Sequence, residues 1–318
     1  MRLLATSDLH LTHAFNRAAL ARMGRYPDDW LIVAGDVGSS PDHLRTALDV
    51  LVTRFAHVIW TPGNHDLWAS SRRPDLGRGE ERYAALVEIC RACGVTTPED
   101  PYPAYPGEPG TMVVPMFLLY DYSFRPSHVP PEAAVGWARE AGVLCRDEHL
   151  LDPHPFADRA GWCAARCEAT EARLAALPAG TRTVLVNHWP LRYDLARPPR
   201  VPRFSVWCGT TRTEDWARRF GARAVVSGHL HLRTTLVRHG IRYEEVSLGY
   251  PRDWRHERGI DWYLREILPG TSPDAARYVP ARDPFLSMTH PDATPDAGLK
   301  SRATAASRRT RRNHLTRD

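Results

Sequence analysis

The sequence predicts an α/β protein, on three observations. Short and almost wholly apolar runs recur along it: Leu3-Leu4-Ala5-Thr6-Ser7, Trp30-Leu31-Ile32-Val33-Ala34, His57-Val58-Ile59-Trp60, Thr183-Val184-Leu185-Val186 and Ala224-Val225-Val226-Ser227. Stretches with apolar residues at helical spacing lie between them. Each run is followed by a short loop bearing Asp, Asn or His. Unbroken apolar runs of this length mark strands buried on both faces, and their alternation with helices marks an α/β architecture. Polar residues at the carboxyl ends of such strands are where open α/β sheets gather their binding sites.

In chain order, the first strand ends at Asp8 and a helix is expected over about Asn16 to Arg25. The second strand ends at Gly35-Asp36. Pro41 then opens a helix through Phe55, with Leu44, Leu48, Leu51 and Val52 on one face. The third strand ends in Thr61-Pro62-Gly63-Asn64-His65-Asp66. A helix near Gly79 to Cys93 leads into a proline-rich stretch, Pro98 to Pro109, and Val113 to Tyr120 reads as another strand. Residues 121–160 hold five prolines and read as loops and helix; together with the proline-rich stretch, about 98–160 is expected to be an insertion. A helix from Gly161 to Leu177 precedes the strand that delivers Asn187-His188. Ala224 to Ser227 delivers Gly228-His229-Leu230-His231. Arg233 to Arg238 and Ile241 to Ser247 read as a hairpin across His239-Gly240.

The 318 residues accommodate two domains or one large α/β domain. The expected division is a catalytic domain over 1–270 and a Pro- and Arg-rich mobile tail over 271–318. A hydrophobic share of 43% excludes a fully disordered chain. No run approaches the roughly 18 apolar residues of a membrane helix, and no secretory leader is visible, so a cytoplasmic protein with no membrane partner is expected. The net charge of +5 is local. Residues 300–318 carry seven basic residues against one acid, and the other 299 residues sum to −1. The body therefore offers no argument for a nucleic-acid partner. Six cysteines in a chain this long do not suggest a disulfide scaffold. Cys90/Cys93 and Cys163/Cys167 read as reduced, packed thiols in helices, with a structural zinc as the less favoured alternative.

The informative pattern is the set of strand-end loops taken together. Asp8-x-His10, Gly35-Asp36, Gly63-Asn64-His65-Asp66, Asn187-His188 and Gly228-His229-x-His231 bring two carboxylates, an amide and four imidazoles to one sheet edge, besides His65. Each alone is a common cap or turn. Jointly, each after an apolar strand, they have the chemistry to hold two transition-metal ions; imidazole with carboxylate suits Mn, Fe, Zn or Co better than Mg or Ca.

The series resembles the calcineurin-like metallophosphoesterases, with every motif present over residues 3–231. The resemblance implies a four-layer α/β/β/α sandwich with a two-metal site on one edge. It implies that Asp8, His10, Asp36 and His231 bind one metal and that Asp36, Asn64, His188 and His229 bind the other, Asp36 bridging; Mn and/or Fe are the expected ions, with Zn or Co as alternatives. It makes His65 the catalytic histidine and Asp66 the group that orients the His65 ring; Asp66 stands where many relatives have Glu. Further segments, among them Val114 to Phe124, Trp207-Cys208-Gly209-Thr210-Thr211 and Glu244 to Arg252, resemble the actinobacterial phosphopantetheinyl hydrolases and carry the likeness to about residue 268. That narrower resemblance implies hydrolysis of a phosphodiester, with 4′-phosphopantetheine on an acyl carrier protein as substrate and partner. Tyr120, Tyr122, Phe124, Trp189, Tyr193 and Trp207 are candidate walls of the site, and Arg192 and Arg252 candidate contacts for phosphate or for carrier carboxylates. The competing readings are a phosphodiesterase for a small molecule such as a cyclic nucleotide, a nucleic-acid-directed enzyme working through Arg308-Arg309-x-Arg311-Arg312, and a non-catalytic scaffold.

Overall fold

The computed structural model describes residues 1–69 and 76–270. Its strands are β1 (Leu3–Thr6), β2 (Tyr26–Val33), β3 (Phe55–Trp60), β4 (Thr111–Pro115), β5 (Arg182–Val186), β6 (Ala222–Ser227), β7 (Thr235–Arg238), β8 (Ile241–Glu245) and β9 (Arg265–Leu268). They form two sheets, in the orders β3-β2-β1-β9 and β4-β5-β6-β8-β7. In each sheet all strands run parallel except the last named, β9 or β7. The helices are α1 (Ala14–Ala21), α2 (Pro41–Leu51), α3 (Asn64–Leu67), α4 (Gly79–Ala92), α5 (Ala134–Glu140), α6 (Asp147–Leu150), α7 (Arg159–Ala175) and α8 (Trp216–Arg219).

The strands read as apolar at every position because both faces of each sheet are covered. Leu3, Ala5, Trp30, Ile32 and Ala34 join Val184, Val186, Ala224, Val226, Val246 and Ile267 in one buried cluster between the sheets. Their sequence neighbours Leu4, Leu31, Val33, Leu185 and Val225 belong to the other core, with Leu20, Leu48, Leu86 and Leu174 of the helices. Side chains alternate faces along a strand, so this division is the expected α/β/β/α sandwich. A parallel bridge between Ser7 and Ser247 ties the sheets together beside the site.

Most elements lie where the sequence places them. The Ser40 side chain caps α2 by accepting from the His43 N–H, with Pro41 at the first helical position; the helix expected through Phe55 ends at Leu51, and Phe55 opens β3. The hairpin turns at His239 (φ 52°) and Gly240 (φ 77°), the left-handed pair that two-residue hairpin loops require. Three readings change. The strand expected over Val113 to Tyr120 ends at Pro115, and Met116 to Tyr120 continues as buried irregular chain. Because β4 pairs with β5, the expected insertion over about 98–160 contains an integral strand, and the non-sheet excursion starts only after it. The β9 strand, antiparallel to β1, was not anticipated. All six cysteines are free; of the two expected pairs, Cys90, Cys163 and Cys167 are buried and Cys93 is half-buried. No helix among the described residues is long and apolar enough to cross a membrane. The tail expected over 271–318, with its arginines, lies outside the described residues.

Candidate metal centre

The strand-end loops reach across the sheet edge by leaving the strand conformation abruptly. Asp8, His10, Asp36, His229 and His231 all adopt positive φ, between 43° and 71°. That left-handed region disfavours residues with a Cβ by roughly 1–2 kcal/mol, with Asp and His among the types found there more often. The strain is held by main-chain bonds between loops: Asp8 N–H donates to the Gly35 carbonyl (2.9 Å), His10 N–H to that of Asp36 (3.1 Å) and Gly228 N–H to that of His188 (2.9 Å). Two glycines let the loops close in. A Cβ on Gly63 would lie 2.1 Å from Asp36 Oδ1, and one on Gly228 would lie 2.4 Å from Asp8 Oδ2.

The seven expected metal ligands come together and are all buried. Asp8 Oδ1 lies 3.0 Å from His231 Nε2 and 3.7 Å from His10 Nε2. His188 Nε2 lies 3.2 Å from Asn64 Oδ1 and 3.5 Å from Asp36 Oδ1, and His229 Nδ1 lies 3.2 Å from the same Asn64 oxygen. Among the described residues, each of the groups Asp8/His10/His231, Asp8/Asp36/His188 and His10/Asp36/His65 offers three ligand atoms within 4.8 Å of one another.

The ring orientations follow from the partners behind them. His188 Nδ1 faces the Ala34 carbonyl at 2.8 Å, which only accepts, so Nδ1 carries the proton and Nε2 presents a lone pair to the centre. His231 Nδ1 is likewise 3.0 Å from Asp253 Oδ2. Lone pairs of His188, Asn64 and Asp36 thus converge on one point, an arrangement that a cation relieves. His229 Nε2 is buried with no hydrogen-bond partner among the described residues. This donor set fits transition-metal ions. Burial holds His10, His65, His188 and His229 below the usual histidine range, and neutral imidazole is the form that ligates metal. Burial, with Asp8 and Asp66 nearby, pushes Asp36 well above the usual carboxylate range. Burial opposes charge on His231 too, but Asp8 and Asp253 outweigh it and raise that group.

His65 lies beside this cluster, its Nε2 3.8 Å from Asp36 Oδ2. Its ring stacks on Trp68 at 3.6 Å and meets His10 edge-on at 4.7 Å. Asp66 corrects the expectation that it orients that ring. Its carboxylate accepts instead from the main-chain N–H groups of Asp36, Val37, Gly38 and Gly63, at 2.9–3.2 Å. At the third helical position of a one-turn helix, the Asp66 side chain bonds to the cap residue and to the neighbouring loop rather than to the ring of the adjacent His65. Asp66 therefore braces two ligand loops. Burial pushes its carboxyl up to about 7, against the pull of these four donors.

A cavity of about 270 Å³ opens from the cluster. Asp36, Asn64, His65, His229, His231 and Tyr250 form its floor, and Val135, Val143, Leu144, Phe204 and Trp207 are among its walls. Of the expected wall residues Trp207 lines it; Tyr120 and Phe124 are buried in the core, and the Tyr122 hydroxyl donates to Glu148. Arg192 pairs with Asp194 and Glu214 and is not among the residues lining the cavity. Arg252 sits over the Tyr250 ring. The sequence reading missed Trp68, Asp147, Tyr250 and Asp253. Tyr250 and Asp253 follow the Gly249 turn after β8, a strand-end position like the others. Asp147 has no local signature.

The family model for Calcineurin-like phosphoesterase matches residues 1–233. The chain is 49% identical over 271 residues to a Mycobacterium tuberculosis protein named [Acyl-carrier-protein] phosphodiesterase PptH, covering 84% of this chain and 83% of that one. The crystal structure of Phosphopantetheinyl Hydrolase (PptH) from Mycobacterium tuberculosis superposes with a TM-score of 0.80 at 46% identity, covering 88% of this chain and 98% of that one. Fold, strand-end cluster and these likenesses agree: the chain belongs to the calcineurin-like phosphoesterase family and is a metal-dependent phosphoesterase.

Proposed function

We propose that the enzyme uses two transition-metal ions to hydrolyse the phosphodiester that joins 4′-phosphopantetheine to a carrier-protein serine. The observation that carries this reading is the make-up of the site: ligand-type atoms meet at one side of a chamber whose other lining combines apolar Val135, Val143, Leu144, Phe204 and Trp207 with the charged Arg139, Arg146 and Glu148. A phosphate on that floor with a long uncharged arm along the walls is the ligand class such a chamber accommodates. The name of the Mycobacterium tuberculosis relative supports the carrier-protein substrate.

In this reading Asp8, His10, Asp36 and His231 hold one ion, and Asp36, Asn64, His188 and His229 the other, with Asp36 shared. Manganese and iron match the imidazole and carboxylate donors, as do zinc and cobalt. When bound, the pair supplies positive charge to the non-bridging phosphate oxygens and activates a water nucleophile. The protein's part is to hold ligands and substrate in register. The Ala34 carbonyl and Asp253 fix the His188 and His231 rings through their Nδ1 atoms. Asp66 locks the Asp36 and Gly63 loops together. His65, between Trp68 and His10, donates a hydrogen bond or a proton to the leaving oxygen, either the serine Oγ or the pantetheine-side oxygen. Residues 1–270 constitute the catalytic domain in this reading, in the cytoplasm, with no nucleic-acid partner.

The test incubates the purified protein with a phosphopantetheinylated carrier protein and with cyclic nucleotides, in the presence of Mn²⁺ or Fe²⁺, and reads the products by mass spectrometry. Loss of the 4′-phosphopantetheine mass from the carrier is expected. Hydrolysis of cyclic nucleotides with an untouched carrier would assign the chamber to small diesters instead.

A further inference from the structure

We infer that Asp147, delivered by the excursion between β4 and β5, is a positioning residue that sets the orientation of the Asn64 amide; this rests on the reading of Asn64 as a metal ligand. Asp147 is fully buried. Its Oδ1 accepts from Asn64 Nδ2 at 3.0 Å and from Trp68 Nε1 at 2.7 Å. The first bond decides which end of the amide faces the centre. With the NH₂ group engaged by Asp147, the carbonyl oxygen points at His188 Nε2 and His229 Nδ1, 3.2 Å from each. A flipped amide would present N–H donors to a cation, which an amide nitrogen cannot ligate in that state. The second bond holds the indole that stacks on His65 at 3.6 Å. One carboxylate oxygen thus fixes both a ligand and the platform under the proposed catalytic histidine.

The helix that carries Asp147 is itself anchored away from the centre. Arg159 of α7 donates from Nη2 to the Asp147 carbonyl at 2.6 Å and from Nη1 to Glu148 Oε2 at 3.2 Å. Glu148 Oε1 accepts from Trp207 Nε1 at 2.7 Å. The same four-residue turn therefore grips the chamber wall on one side and the Asn64 amide on the other. The link spans 83 residues of sequence.

The experiment titrates Mn²⁺ into the metal-free full-length protein by calorimetry. The variants are N64A, D147A, D147N, D147L and N64A/D147A, each checked for folding by circular dichroism. Wild type is expected to bind two equivalents, and N64A to lose one event. D147A and D147L should weaken that same event by about 10–100-fold, the usual cost of losing a partner behind a metal ligand, and leave the other within about threefold. D147N keeps an oxygen that accepts both bonds and should restore affinity to within about threefold of wild type. Adding D147A to N64A should weaken binding no further, because the amide it orients is gone. The inference is overturned if D147A binds both ions as wild type does, if both events weaken equally, if D147N is as impaired as D147A, or if the double variant is additive. It also falls if neither D147A nor D147L folds, since Asp147 is then a folding determinant. If N64A leaves both events intact, the ligand reading itself fails, a result distinct from failure of D147A alone.

Discussion

The loops that hold the candidate ligands and the wall that stands over them are secured by different kinds of bond. The loops are braced main chain to main chain: Asp8 to Gly35, His10 to Asp36, Gly228 to His188, with the Asp66 carboxylate gathering four more amides. The wall hangs largely on side chains. Arg159 reaches Asp147, Glu148 and Tyr122, Trp207 donates to Glu148, and Arg203 donates to the Trp137 carbonyl. Main-chain bracing leaves few degrees of freedom, which suits ligand atoms that must converge to within a fraction of an ångström. Side-chain anchoring lets a wall vary in sequence and shape while the chemistry beneath it stays in place. Damage to the loops should therefore appear in metal content and turnover, and damage to the wall in the apparent affinity for a long substrate.

The largest effect should come from Asp36, which stands at the middle of the cluster. Asp36→Ala should lower metal content, read by elemental analysis, and reduce turnover by about 10³-fold or more, given the several kcal/mol that metal ions contribute to such transition states. Retained metal and turnover would break the loop half of the comparison.

His65→Ala should keep the metals and lose roughly 10²–10⁴-fold in turnover, the usual range for a proton donor. Loss of metal in that variant would make His65 a ligand, a position its 3.8 Å approach to Asp36 also permits. Asp66→Ala should act first on stability. It leaves buried N–H groups of Asp36, Val37, Gly38 and Gly63 without acceptors, at about 1–3 kcal/mol per orphaned group before relaxation and water entry reduce the sum. Urea unfolding of the metal-free protein should show a loss of about 3 kcal/mol or more. An unchanged midpoint with lower turnover would return Asp66 to the ring-orienting role.

The wall is tested at Leu144, which is 63% exposed and lines the chamber mouth. Because it is exposed, Leu144→Ser should leave the fold intact. It should raise KM for a phosphopantetheinylated carrier by about fivefold, equivalent to the roughly 1 kcal/mol of apolar contact that a part-covered leucine offers, and raise KM for bis(p-nitrophenyl) phosphate by much less. Equal effects on both substrates would mean that the wall does not read the arm.

The smallest effect belongs at the other end of β1 and β2, where Arg2 bonds Asp29 through its main-chain N–H (2.6 Å), Nε (3.0 Å) and Nη2 (2.6 Å). Burial pushes Asp29 up, but the Arg2 bonds outweigh it and hold the carboxyl below its ordinary value. The pair's stabilisation is therefore present above the ordinary carboxylate range and is lost as pH falls through the depressed value. Arg2→Ala should cost less than about 1 kcal/mol, since Arg2 is half exposed and solvent screens the pair. The urea midpoints of wild type and variant should converge at acid pH. Any change in turnover would show that the strand-end loops are not independent of the far sheet edge.

The parts of the site that were legible in the sequence share one cause. Asp8, His10, Asp36, Asn64, His65, His188, His229 and His231 each follow an apolar strand by a few residues, so local order along the chain reports their place in space. Asp66 was found as a residue and misread as a role, because which acceptor meets which N–H depends on how two loops approach. Tyr120 and Phe124 are apolar enough for either a wall or a core, and only packing separates the two. Asp147 and Trp68 carry no pattern; their meeting with Asn64 and His65 joins segments far apart in the chain.

The sequence by itself determined the alternation of strands and helices, the two-sided burial of the strands and the candidate ligand set at their ends. These depend on periodicity and on the residue next door, which the chain records directly. Only the tertiary structure decided the edge position of β9, the brace at Asp66, the composition of the chamber wall and the contact of Asp147 with Asn64. Those rest on approaches between distant segments, whose geometry is set by the packing of sheets and helices together rather than by any local spacing.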